Sequence, residues 1–231
     1  MCKDRCVRSY HDPCGVARAL DVVGERWALL VVRELLLGPK RFTDLAAGLP
    51  GLSQNVLSQR LRDLERAGIV TRARLGPPAG TRAYRLTERG AELEPVLLAL
   101  ARWGSRVPLP GSDAELGVDA LALALRTTFD PDAADGLRLT ATLRLGDDAL
   151  RATVHDGRFA LARGEAEDPD AVLSGEPGAL RAVVFGGRPP RDAGLRIDGD
   201  RPAALHLLHC FPRPTPVENE VTAGMDRSNP R

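Results

Sequence analysis

Between positions 14 and 103 apolar residues recur at the three-to-four-residue spacing of helices, broken at intervals by Gly and Pro. Cys14 to Val23 and Trp27 to Leu37 predict two core helices, the first ended by Gly24 and the second by Gly38-Pro39. A short third helix fits Phe42 to Ala47, ahead of the Leu49-Pro50-Gly51 break. Ser53 is placed to N-cap a fourth through Ala67, with Val56, Leu57, Leu61 and Leu64 on its apolar stripe and Gly68 as its left-handed stop. The opposite face holds Gln54, Asn55, Ser58, Gln59, Arg62 and Arg66. Alternation then predicts two strands, Ile69 to Leu75 and Arg82 to Leu86, around the Gly76–Gly80 loop. Thr87 caps one final helix carrying Leu93, Val96, Leu97, Leu100 and Trp103.

Beyond Val107-Pro108-Leu109-Pro110-Gly111-Ser112 the pattern changes. A helix-like stretch, Asp113 to Phe129, precedes Leu137 to Leu145, where apolar residues alternate with Arg138, Thr140, Thr142 and Arg144. Ala149 to His155 and Arg158 to Arg163 flank Asp156-Gly157, a two-residue hairpin signal. Asp170 to Ser174 and Leu195 to Ile197 predict further strands, and Pro177 to Phe185 and Pro202 to Phe211 further helices. The fold class expected is a mainly α winged helix-turn-helix domain followed by an α+β domain with an antiparallel sheet covered by helices. The corresponding domains are 1–110 and 111–212, with a disordered tail over 213–231.

The chain has 231 residues, room for one large or two small domains, and its net charge of +1 hides a division. Residues 1–110 hold 18 Lys and Arg against 11 Asp and Glu, or +7, while 111–231 hold 14 against 20, or −6. Only the first half is suited to a polyanion, since attraction to phosphates is screened over about 8 Å at physiological salt. Lys3 and Lys40 are the only lysines; Arg dominates both halves, so its abundance alone does not mark a nucleic-acid surface. No apolar run approaches the roughly 20 residues of a membrane span, and the N-terminus lacks a signal-peptide core, which predicts a cytoplasmic protein with no membrane partner. Cys2, Cys6, Cys14 and Cys210 have neither disulfide-scaffold nor zinc-site spacing, so no metal or cofactor is expected.

A major groove about 12 Å wide admits an α-helix, and short amides and hydroxyls at its N-terminus reach base edges while Arg holds phosphate. This makes Ser53, Gln54, Asn55, Ser58, Gln59 and Arg62 candidate contacts to double-stranded DNA; a solvated polar face is the other reading of the same residues. The run Leu20-Asp21-Val22-Val23-Gly24-Glu25-Arg26-Trp27, the segments Gly38-Pro39-Lys40-Arg41-Phe42-Thr43-Asp44-Leu45 and Gly51 to Glu65, and Tyr84-x-Leu86-Thr87-x2-Gly90 closely resemble the HxlR family of bacterial transcriptional regulators. The resemblance covers almost all of residues 10–106. It implies a homodimeric winged-helix DNA binder, with the helix from Ser53 in the major groove, Arg72 to Arg82 along the flanking backbone and the helix ending at Trp103 in the dimer interface.

Arg72 and Arg74 alternate onto one strand face, and with Arg82, and more weakly Arg41, they are phosphate candidates. Some HxlR relatives use a cysteine matching Cys14 as a sensor of oxidants; the other reading is a small buried packing residue, and a thiol at a helix start has its thiolate favoured. In the second half, Val154 to Gly157, Asp170 to Leu180 and Gly194 to Leu208 resemble a sterol-carrier-protein-like domain. That implies a pocket for an apolar small-molecule effector, lined by residues such as Phe129, Phe159, Val184 and Leu208, for each of which plain core packing is the alternative. His155 beside Asp156 reads as a solvated turn, and His206 with His209 lacks further ligands, so no enzyme is expected. The function expected is a homodimeric, sequence-specific repressor with an effector domain. The alternative is a lipid or acyl carrier whose winged helix mediates protein contacts, and a third reading makes the second domain a scaffold.

Overall fold

The computed structural model of the protein describes residues 9–76, 80–107, 116–213 and 215. The first unit opens with α1 (Gly15–Val23) and α2 (Ala28–Leu35). Trp27 itself stays outside α2, because its backbone is left-handed at φ 78° as the chain turns between the two helices. α3 (Phe42–Gly48) starts where the Asp44 carboxylate accepts from the Arg41 N–H at 3.0 Å. α4 (Gln54–Arg66) is capped by Ser53 and turned at Gly68, φ 71°, as its sequence signals require. Leu57, Leu61 and Leu64 drive α4 into a core with Val31, Val32, Leu35 and Leu45.

Two expectations for this unit are corrected. The wing sheet has three strands, because β1 (Lys40–Arg41) pairs antiparallel with β3 (Thr81–Leu86), which also pairs with β2 (Val70–Leu75). Two residues are too few to show a period. The single final helix is instead α5 (Glu88–Ala91), capped by Thr87, then α6 (Glu94–Gly104). Pro95 explains the break, since it has no N–H for the Ala91 carbonyl and its ring collides with that turn. Gly90 sits where a Cβ would lie 2.1 Å from the Ile69 carbonyl oxygen, so the turn between sheet and helices excludes any side chain there.

The second unit begins with α7 (Val118–Thr128), capped at Gly117; residues 113–115 of the expected longer helix lie outside the described residues. Strands β4 (Leu139–Leu145), β5 (Asp148–His155), β6 (Arg158–Arg163), β7 (Ala171–Gly175) and β8 (Arg196–Gly199) form one sheet in the order β6-β5-β4-β7-β8. The sheet is mixed and not antiparallel, because β4 and β7 run parallel. After β6 the chain takes the free edge of β4 by crossing the sheet's outer face. That crossing is held where Thr142 Oγ1 accepts from Ala166 N at 3.0 Å, Arg144 donates to Glu165 at 2.8 and 2.9 Å, and the Asp170 carboxylate accepts from Thr140 N at 2.7 Å. Thr142, outward in the alternation, is therefore buried.

α8 (Pro177–Val184), the short α9 (Pro190–Ala193) and α10 (Arg201–His209) complete the unit. Its core joins the inward residues of β4, β5 and β7 to Leu121 and Leu125 of α7 and Leu207 and Leu208 of α10. At one end Phe129, Phe159 and Phe211 pack ring on ring, with centroids 5.1 to 5.8 Å apart. Phe211 belongs to neither the last helix nor the tail, but is drawn back into this cluster. The expected tail falls, apart from Arg213 and Thr215, outside the described residues. α7 also packs on α2 and α6, and Leu37 reaches the second core, so the two units meet along α7.

Phe211→Ala removes a ring that two others contact. It is expected to destabilise the protein by about 3–5 kcal/mol, read as a lower urea midpoint at unchanged slope.

Candidate nucleic-acid interface

The N-terminal half of α4 is held at the surface by its own leucines. Ser53 Oγ accepts from the Val56 N–H at 3.4 Å, which leaves its hydroxyl hydrogen free to donate outward. Gln54, Asn55 and Ser58 make no side-chain hydrogen bond among the described residues, so their donors and acceptors are available to a partner. Gln59 is already engaged, donating to Asp63 at 2.7 Å and accepting from Arg62 at 2.8 Å. Arg66 closes the chain on Asp63.

Val56 corrects the predicted stripe. It is 39% exposed and lies beside the polar face, because it is about 100° round the helix from buried Leu57. Sequence spacing alone contained that signal. An exposed methyl pair there suits the methyl group of thymine.

The wing sorts the arginines by face. Arg74 and Arg82 are direct cross-strand partners and both are exposed, with no acidic partner among the described residues. Facing like charges cost roughly 0.2–1 kcal/mol, and an anion between them removes that cost. Arg72, on the same face opposite Tyr84, is bound to Glu65 of α4 at 3.1 Å, so it ties wing to helix and is not a free cation. Arg41 pairs with Ala83, which puts it on the other face, shared with Arg85. The candidate set is thus split, with Arg72, Arg74 and Arg82 together and Arg41 apart.

Cys14 is exposed at the N-cap of α1, not buried. The Val16 and Ala17 backbone N–H groups hold its thiol below the ordinary thiol pKa by favouring the thiolate. Cys210 is its opposite, buried and pushed up to about 11 by desolvation and by the charge of Asp130. The four residues expected to line an effector pocket are all in or against the second core: Val184 and Leu208 are buried, and Phe129 and Phe159 stack on each other. Among the described residues no His, Cys, Asp and Glu group could hold a metal, and no helix is long and apolar enough to cross a membrane.

The free amides of Gln54 and Asn55 thus lie on the helix that precedes a wing whose Arg74 and Arg82 have no acidic partner among the described residues. The model of the HxlR-like helix-turn-helix family matches residues 22–110. The uncharacterized HTH-type transcriptional regulator YvaP of Bacillus subtilis (strain 168) is 39% identical over 88 residues, which are 38% of this chain and 82% of that one. The chain belongs to the HxlR family of helix-turn-helix regulators. The HTH-type transcriptional regulator YodB of the same organism is 36% identical over 93 residues, 40% of this chain and 83% of its own. A solved structure of reduced YodB from B. subtilis matches at 34% identity and TM-score 0.37, covering 43% of this chain and 98% of that one. The chain spans 60% of the length of a Mycobacterium bovis (strain ATCC BAA-935 / AF2122/97) HTH-type regulator, Mb3122, that is 42% identical over 96 residues. These HxlR relatives are transcriptional regulators; they indicate no enzyme family, and they do not favour the lipid-carrier alternative.

Peptide-resolved alkylation with iodoacetamide across pH 6 to 11 is expected to label Cys14 with an inflection below that of a free thiol. Cys210 should remain unlabelled below about pH 10 in the folded protein, since its thiolate forms only near pH 11.

Proposed function

We propose that this HxlR regulator is a homodimeric, sequence-specific DNA-binding repressor. α4 enters the major groove with Gln54, Asn55, Ser58 and Val56 at base edges, and Arg74 and Arg82 grip the adjacent phosphate backbone. The observation that carries this reading is the facing pair Arg74 and Arg82, a repulsion the protein keeps beside an exposed amide-rich helix. Ser53 and Arg62 extend the contact along α4. Gln59 joins when a base replaces its intramolecular partners, and Arg41 reaches backbone outside the main track.

Dimerisation follows from where apolar surface is left uncovered. The large exposed apolar side chains among the described residues all lie between Tyr10 and Val107: Val16 and Leu20 on α1, Val96, Leu100 and Trp103 on α6, and their neighbours. Val96, Leu100 and Trp103 form one stripe at i, i+4 and i+7, with Trp103 71% exposed. A second copy covering that stripe places two α4 helices for half-sites about 34 Å apart. Repression is the simpler outcome, since a dimer on its site blocks polymerase without contacting it.

Cys14 is proposed as a thiol sensor at the edge of that interface, on the strength of its exposure and favoured thiolate. The apolar-effector role of the second unit rests on its sterol-carrier resemblance. The stacked phenylalanines support the scaffold reading of that unit better, because a ligand between sheet and helices has to part them.

The test is selection of a duplex from a random pool by the full chain, followed by anisotropy titrations at two salt concentrations against a scrambled duplex. A preference of about a thousandfold with a steep salt slope supports the reading; equal weak binding to both overturns it. Asn55→Ala is expected to cost about 1–3 kcal/mol on the selected duplex, whereas Arg82→Ala lowers the salt slope by about 1. Because Arg82→Ala also relieves the repulsion of Arg74, protein stability should not fall with affinity. Leu100→Glu with Trp103→Glu is expected to give a monomer in sedimentation velocity and to abolish preference for a two-half-site duplex.

A further inference from the structure

The two units meet over a run of buried charge. Lys40 opens β1, with its backbone paired to Tyr84 of the wing. Its ammonium turns inward to Glu34 of α2 at 2.7 Å and to Asp119 of α7. Glu34, Lys40 and Asp119 are 1%, 9% and 5% exposed. Asp119 also accepts from Arg163 of β6 at 2.6 and 2.7 Å, and Arg163 continues to Asp148 at 2.5 Å. Arg33 completes Glu34 at 2.8 Å. Three cations thus meet three carboxylates, and Lys40 is the one member that bonds across from the wing to the second unit.

The surroundings are shaped to this run. A Cβ at Gly48 would lie 2.1 Å from the Glu34 carboxylate, which Lys40 and Arg33 hold in place, so α3 gives up a side chain at that point. A buried ion is tolerable only while its partners stay in reach. Movement of α7 relative to the wing would strand Lys40 with one carboxylate, and Asp119 with one cation. The register adds a direct mechanical consequence: Lys40 is bonded to the strand that carries Arg82, and the next residue is Arg41.

We infer that Asp119 is a positioning residue for DNA binding: through Lys40 it locks β1 and the wing to the second unit, so that the position of α7 sets how Arg74 and Arg82 meet the phosphate backbone. This rests on the DNA-binding reading above and extends it to a residue outside the family match. It also gives the second unit a role that needs no ligand pocket.

The test uses the duplex selected with the wild-type full chain, so failure of DNA binding itself would already have shown in the wild type. Asp119→Asn and Lys40→Met are compared with wild type in specific affinity, salt slope and hydrogen exchange of the β1 and β3 amides. The expected result is a tenfold or greater loss of specific affinity, a salt slope lower by one or more, and faster exchange in the wing, while the double variant is no worse than either single one. A loss of overall stability alone would leave the salt slope of the folded fraction unchanged, and that outcome overturns the inference. Wild-type affinity and slope in folded Asp119→Asn overturn it as well. If Asp119→Asn does not fold, Lys40→Met decides, because it leaves Asp119 its Arg163 partner: the same loss supports the role, and wild-type binding removes it.

Discussion

A carboxylate taken out of water costs several kcal/mol unless cations and donors replace the solvent it gave up. Asp119 and Glu34 accept that cost at the meeting of the two units, and Lys40 between them satisfies both. The demand is geometric, since a half-satisfied buried ion is worse than none. β1, α2, α7 and the end of β6 are therefore fixed relative to one another more tightly than the apolar contacts of α7 alone would require. An apolar interface tolerates sliding; a buried ion chain does not. Arg126 with Glu94 adds a second, half-exposed tie between α7 and α6.

That constraint divides the surface of the first unit. α2 and one side of α6 are used against α7, which leaves the Val96, Leu100 and Trp103 stripe and the apolar residues of α1 as the uncovered side. Among the described residues, α4, β2 and β3 make no side-chain hydrogen bond or ion pair to the second unit, and β2 and β3 carry the facing Arg74 and Arg82, which have no acidic partner there. Three surfaces with three physical characters, ionic, apolar and cationic, thus lie on one small helical unit. Each is suited to a different partner, and none has to change for another to be used.

Much of this was legible in the residues. The Ser53 cap, the Gly68 stop and the leucines of α4 specify their helix locally, so sequence spacing suffices. The polar face of that helix was legible for the same reason. What was not legible depends on distant chain. β1 is two residues long and exists because β3 offers an edge, and β7 lies parallel to β4 because the connection after β6 carries the chain back across the sheet before it pairs again. Lys40 is the sharpest case. As one of two lysines in an arginine-rich chain it stands out in composition, yet burial beside Asp119, 79 residues away, has no local signature.

The choice of lysine there has its own physical logic. Lys40 must satisfy Glu34 and Asp119 from a strand only two residues long, and a compact ammonium on a flexible stem can turn its donors to two carboxylates at once. Arg163, at the half-buried end of the same run, spans two carboxylates with its wider guanidinium, Nη2 against both oxygens of Asp119 and Nη1 on Asp148. The surface arginines meet the opposite condition, since Arg74 and Arg82 are exposed and have no acidic partner among the described residues, as the proposed phosphate contact requires. The same positive charge therefore has two placements within one sheet: inward as lysine, tied to the carboxylates of α2 and α7, and outward as arginine, leaving the wing a hydrated cationic face.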